Sequence, residues 1–229
     1  MKIWDWAGFF EYLVNPYILA GAWATLWLTA VSMVCGLALG FVLALMRRAP
    51  RRLVAAPAGF YVWLFRGTPL LVQLIVIYTG LPQLGIKFGV IQSALIGLSL
   101  NEAAYLAEII RAGIDAVPPG QVRAARALGM RERQIMRYIV LPQALRIVIP
   151  PLGNSVNGLL KTTSITSVIS MEELLRRTQV LIQEQFEVLE LFSVAALYYL
   201  AMTTLWQLVQ HRLERYAGRS DAPPTAAGA

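Results

Sequence analysis

Two short polar runs stand inside otherwise apolar sequence. Lys161, Thr162, Thr163 and Ser164 form one; Asn101 and Glu102, with Tyr105 one helical turn on, form the other. A charged side chain at mid-bilayer costs about 2.5 to 3.5 kcal/mol on insertion scales, so it faces a cavity or a partner. The Lys161 ammonium suits a carboxylate, the hydroxyls beside it can add hydrogen bonds, and Glu102 suits an amino group or another cation. Pro150, Pro151 and Gly153 precede Lys161 and predict a broken helix. Such breaks recur at transporter binding sites, because unwound backbone is tolerated only where it lines protein or water. A structural ion pair of Lys161 with Glu102, or a contact with a helix end, is the alternative. Glu108 and Arg111, three apart on one helical face, are expected to pair as a structural or gate-lining unit. Arg66, just before Gly67 and Pro69, is expected to anchor at headgroup level.

Other chemistries fail on spacing. Gly153 and Gly158 begin like a phosphate-cradling loop, but Leu159 and Leu160 displace Lys161 by two positions. No phosphate-cradling loop is therefore expected in this segment. Ser155 with His211 as base would make an intramembrane hydrolase, yet His211 lies beside Arg212 at the rim of a span while Ser155 lies within one, out of hydrogen-bond reach. The single cysteine, Cys35, sits in an apolar run, and His211 is the one histidine. Disulfides, thiolate zinc sites and histidine-rich metal clusters are excluded, and no metal site is expected.

The elements that hold these residues are membrane spans. Of 229 residues, 57% are hydrophobic and 14% charged, and the mean hydropathy is +0.58. A soluble domain averages roughly 25% charged residues, so an ordinary cytosolic enzyme, a disordered chain and a nucleic-acid reader are ruled out. Crossing ~30 Å of hydrocarbon takes about 20 helical residues. Three stretches, 17–46, 55–81 and 188–209, qualify readily. Two more, 89–114 and 138–169, qualify if their polar residues are tolerated. The fold class is an all-α integral membrane protein of five transmembrane helices, spanning 17–216. Residues 1–16, with Trp4, Trp6, Phe9, Phe10 and Tyr12, are expected to form an amphipathic interfacial segment rather than a signal peptide. Residues 217–229 are expected to be a disordered tail.

Five spans put the termini on opposite sides. Arg47, Arg48, Arg51 and Arg52 follow the first span, Arg123, Arg126, Arg131, Arg133 and Arg137 precede the fourth, and Arg212, Arg215 and Arg219 follow the fifth. The other face holds Lys2, Lys87, Arg176 and Arg177. The positive-inside rule then places the N-terminus outside and the C-terminus in the cytoplasm. It also puts the acidic segment 171–190 outside, where it would form part of a docking surface.

The loop 117–142 is too long for a turn. Pro118, Pro119 and Gly120 end the third span, Gln121 to Leu128 has helical composition, and Gly129 suits a C-cap. A helix this short is unstable alone in water, where ~12 to 15 residues are marginal, so it must dock on something.

Arg123, Ala124, Ala125, Gly129, Ile139, Leu141 and Pro142 match the spacing of the EAA loop of ABC importer permeases at every fixed position but the first. Phe65 to Gln73 resembles the FRGTPLLVQ segment of the polar amino acid uptake subfamily, the histidine, glutamine and arginine permease type. Ala104 to Ile114 is similar to its AYxAEIxRxGI stretch, and Leu160 to Ile165 to its LLKDTSL stretch. The resemblance runs from about Thr25 to Leu208.

It implies the type I ABC importer permease fold in a bacterial cytoplasmic (inner) membrane. The loop helix becomes a coupling helix, with Arg123, Ala124, Ala125, Arg126, Leu128, Gly129, Ile139, Leu141 and Pro142 as the residues that engage a dimer of separate ABC ATPase subunits. ATP and Mg are held by those partners, and this chain carries no cofactor and is not itself an enzyme. Lys161, Thr162, Thr163, Ser164, Asn101, Glu102, Tyr105 and Thr68 become the substrate-binding set. The implied substrate is a polar amino acid or related small zwitterion, delivered by a periplasmic or surface-anchored binding protein and carried by alternating access. A second copy or a similar permease completes the path. Two departures stand out. Arg123 replaces the usual glutamate, so a carboxylate is expected on the facing ATPase surface. Thr162 replaces a common aspartate, which removes an anion near the ligand. An ion-coupled secondary transporter or channel of similar topology is the alternative; it would need an ion relay or inverted repeats, and neither is visible.

Overall fold

The protein is described by a computed structural model over residues 4–218. Among these residues the chain is helical: α1 (Trp6–Leu13), α2 (Pro16–Arg47), α3 (Arg52–Gly67), α4 (Leu70–Ile75), α5 (Val90–Asp115), α6 (Pro119–Ala127), α7 (Glu132–Ile135), α8 (Leu141–Thr162), α9 (Leu174–Gln185) and α10 (Val188–Gly218). Lys2, Arg219 and the expected tail beyond Gly218 lie outside the described residues; Ala217 and Gly218 themselves continue α10.

Four helical stretches are long and apolar enough to cross a bilayer: Pro16–Arg47, Val90–Asp115, Glu132–Ile169 and Val188–Tyr216. The expected second span is not one straight helix. α3 and the stretch Leu70–Leu84 meet at 104°. The cause is local: Thr68 is held extended (φ −120°, ψ 145°) because the ring of Pro69 excludes the α conformation before it.

The helix break expected at Pro150 and Pro151 is absent. α8 runs through both prolines without interruption and tightens into a 3-10 helix only at Thr163–Ile169. Neighbouring α10 braces it: Trp206 Nε1 donates to Gly153 O at 2.8 Å and Gln210 Nε2 to Asn154 Oδ1 at 3.2 Å. The side chain of Gln210 occupies the space where a Cβ on Gly153 would sit. Ahead of α8, the turn Met136–Val140 is a π-helix, which accommodates Pro142 where an α-turn would clash with its ring.

α2 and α5 form the most extensive helix pair. Gly36 and Gly40 bring the backbones together: a Cβ at Gly40 would lie 2.9 Å from Leu106 Cβ and 3.0 Å from Ala103 O. Without a hydrophobic drive between helices in lipid, such close van der Waals approach of small residues holds the pair.

At one end α1 packs on α10, with Tyr198 Oη donating to Leu13 O at 2.6 Å. Trp6 and Phe10 remain exposed. The acidic segment 171–190 is in part structural. Glu173 is fully buried and caps α9, accepting from Leu175 N (2.9 Å), Arg176 N (2.8 Å) and Tyr199 Oη (3.0 Å). Glu190 is buried and accepts from Asp5 N at 2.8 Å. At the opposite end, Ala44, Ile114, Val117, Ala125, Ile135 and Val140 share one apolar cluster, which seats α6 beneath α2, α5 and α8.

Candidate functional site

The α3–α4 bend frees backbone groups in the bilayer, and two amides bind them. Gln73 Nε2 donates to Phe65 O (2.9 Å), Thr68 O (3.1 Å) and Thr68 Oγ1 (2.9 Å). Asn101 Nδ2 donates to Phe65 O (3.2 Å) and Gln73 Oε1 (3.1 Å). Thr68 Oγ1 donates in turn to Leu64 O at 2.9 Å. The bend is thus pinned to α5, and a cavity of about 600 Å³ opens beside it.

The cavity wall is formed by Arg66, Thr68, Pro69 and Leu70 at the bend, by Asn101, Glu102, Tyr105 and Glu108 on α5, and by Ser155, Gly158, Leu159 and Thr162 on α8. Lining residues on α5 extend from Asn101 to Ala112, some 16 Å of helix at ~1.5 Å per residue, so the cavity runs from the bend toward the α6 end. Glu102 is buried, its Oε1 has no hydrogen-bond partner among the described residues, and the Ser155 hydroxyl lies within reach of its carboxyl. Arg66 is the residue expected to anchor at headgroup level. It lines the cavity, with its guanidinium carbon 5.3 Å from the Tyr105 ring centre. At the mouth, Glu108 is bridged by Arg111 at 2.8 Å and Arg47 at 3.3 Å, Arg111 reaches Asp115 at 3.0 Å, and Arg48 also binds Asp115.

Of the substrate set expected from sequence, Thr68, Asn101, Glu102, Tyr105 and Thr162 come together on this wall. For Asn101 and Thr68 the bend already engages the amide nitrogen and the hydroxyl. Lys161, Thr163 and Ser164 are not on it. The Thr163 and Ser164 hydroxyls donate to the Leu160 and Lys161 carbonyls at 2.8 and 2.7 Å. Lys161 is exposed and pairs with no carboxylate among the described residues, Glu102 included. The reason is angular: Ser155, Gly158, Leu159 and Thr162 follow the i, i+3, i+4, i+7 row of one face, and Lys161 falls off it. Arg66, Gln73 and Ser155 were missed as site residues. The Thr68–Pro69 dipeptide was the available signal, since a pre-proline break within a span calls for polar side chains to serve it.

The second surface is α6. Gly129 takes a left-handed conformation (φ +79°), with Gly129 N donating to Arg126 O at 2.9 Å and Met130 N to Ala125 O at 3.1 Å. Ala125 is buried against the helix ends above it, and Ile139 packs on the same cluster. Arg123, Ala124, Arg126, Leu128 and Gly129 face outward, Leu128 at 83% exposure. Arg126 is held within the loop by Glu132, at 2.6 and 3.2 Å, and Gln121 is tied to Gln143 at 2.6 Å. Leu141 and Pro142 lie at the exposed start of α8.

Residues 36–218 match the family described as "Binding-protein-dependent transport system inner membrane component". YckA of Bacillus subtilis (strain 168), a probable amino-acid ABC transporter permease, is 38% identical over 213 residues, covering 90% of this chain and 94% of its own length. ArgU, an arginine transport system permease of Corynebacterium glutamicum, is 40% identical over 230 residues, covering 94% of this chain and 72% of its own. A crystal structure of an amino acid ABC transporter with histidines contains a chain that superposes with a TM-score of 0.89 at 36% identity, over 94% of this chain and all of that one. The pinned intramembrane bend, the docked helix with an exposed apolar knob and these matches lead to one assignment: the chain belongs to the binding-protein-dependent transport family, as a multi-pass permease subunit with the type I ABC importer fold.

Proposed function

We propose that this permease takes up polar amino acids or related small zwitterions across a bacterial cytoplasmic membrane, with its N-terminus outside and its C-terminus in the cytoplasm. The observation that carries the reading is the cavity at the α3–α4 bend. It sets one buried carboxylate with an unpartnered oxygen, Glu102, and one guanidinium, Arg66, on separate helices, a match for the two charges of a zwitterion. A periplasmic or surface-anchored binding protein delivers the solute. Two ABC ATPase subunits, which hold ATP and Mg, seat α6 of each permease and drive alternating access. The cavity opens toward the α6 end, as an inward-facing state requires. Lys161, exposed within a span, calls for a partner; a second copy or a similar permease supplies it.

The test is ATPase stimulation of the reconstituted complex across an amino acid panel. A hydrogen bond to a charged group is worth about 1.5 to 3 kcal/mol, so Glu102→Gln should raise the half-maximal concentration about 10- to 150-fold for ligands with a free amino group. Arg66→Gln should do the same for ligands with a free carboxylate. Unchanged ligand response in both variants would remove the cavity from solute binding.

A further inference from the structure

We propose that the cleft between α2, the start of α3 and the end of α5 binds the phosphate of an anionic phospholipid, in the leaflet beside the α6 loop. The cleft, of about 450 Å³, is lined by Arg47, Arg52 and Arg111 over a floor of Ala55, Ala56 and Gly59. The floor is one small-residue row of α3, and it is why the guanidiniums stay accessible: a Cβ on Gly59 would stand 3.2 Å from Arg47 Nη1.

Charge in the cleft does not close on itself. Glu108 is shared by Arg47 and Arg111, and Asp115 by Arg48 and Arg111. Arg52, which opens α3, and Arg51 before it have no carboxylate partner among the described residues. Three guanidiniums around the cleft therefore share two carboxylates, and the cations of Arg52 and nearby Arg51 add to the excess. Basic pockets between helices at a membrane surface select anionic headgroups in this way.

Lipid, rather than a soluble phosphate, is indicated by what adjoins the cleft. Trp63 continues the Gly59 row one turn deeper, is 68% exposed, and lines a neighbouring recess of about 450 Å³. Phe60 on α3 is exposed beside it, with its ring centre 5.7 Å from that of Trp63. A headgroup at the arginines would thus leave its acyl chains on apolar surface.

The test is native mass spectrometry of the intact complex titrated with dioleoyl phosphatidylglycerol and, separately, dioleoyl phosphatidylcholine. Each arginine near an anionic lipid is worth about fivefold in affinity. Arg52→Gln should therefore weaken phosphatidylglycerol binding about fivefold, and Arg52→Glu further. Gly59→Leu, which fills the cleft without changing charge, should also weaken it. Arg133→Gln in the loop should leave it unchanged. Equal binding of the two lipids, no effect of either Arg52 variant, or an equal loss in Arg133→Gln would overturn the site. Displacement of the lipid by equimolar glycerol 3-phosphate would overturn the lipid and leave a soluble phosphate in its place. Assembly of each variant with its ATPase subunits, read in the same spectra, shows that it is folded.

Discussion

Replacing Gln73 by leucine isolates the device that shapes the cavity. Gln73 is buried, and its amide donates to three acceptors while accepting from Asn101. In Gln73→Leu, Phe65 O keeps its bond from Asn101, but Thr68 O loses the side-chain donor that serves it and Asn101 Nδ2 loses one acceptor. A buried group left unsatisfied costs about 1 to 3 kcal/mol; one orphaned carbonyl and one weakened amide together come to about 2 to 4 kcal/mol. Asn101→Ala is milder, because both carbonyls keep Gln73, and should cost about 1 to 2 kcal/mol. The pair works as one unit, so the double variant should fall short of the sum, with an interaction of about 0.5 to 3 kcal/mol. Thermal unfolding of the detergent-solubilised complex measures the order of the three variants, and ligand-stimulated ATPase reports whether the cavity survives. Equal stability of Gln73→Leu and the parent, or strict additivity, would refute the claim that these amides hold the bend.

Three further outcomes follow from other parts of the fold. Full burial of a leucine is worth about 1.5 to 3 kcal/mol, so Leu128→Ala should weaken binding of the ATPase subunits roughly tenfold, and unchanged binding would mean that the α6 knob is not docked. Gly40→Val puts branched atoms where Leu106 and Ala103 already stand and should destabilise the α2–α5 pair by about 1 to 3 kcal/mol of overpacking, again read by thermal unfolding. Burial pushes the Glu173 carboxyl above its ordinary value, against the lowering effect of its hydrogen bonds from Leu175, Arg176 and Tyr199. An acid raised in the fold contributes stability that is complete below its unfolded pKa and fades as pH rises through the folded one. Protection factors of the α9 amides, each taken relative to the intrinsic exchange rate at the same pH, should therefore be higher at pH 4 than at pH 7, and Glu173→Gln should erase that difference.

The sequence by itself determined much of this protein. Apolar runs of span length have one stable solution in a bilayer, the hydrogen-bonded helix, and Gly129 marks the end of α6 because it tolerates φ +79°; Pro119, expected to end the third span with the loop helix starting at Gln121, instead opens α6, where its missing N–H costs nothing. Tertiary structure decided which polar residues meet. Proline is a helix breaker only where nothing braces it, so Pro150 and Pro151 stay helical against Trp206 and Gln210 of α10, while the Thr68–Pro69 step bends fully because Gln73 and Asn101 supply its missing hydrogen bonds. The same holds for rotation about a helix axis: one residue is 100° of turn, which carries Thr162 onto the cavity wall and Lys161 off it. Adjacency in sequence cannot fix that angle; only the packing of α8 against α5 and α10 does.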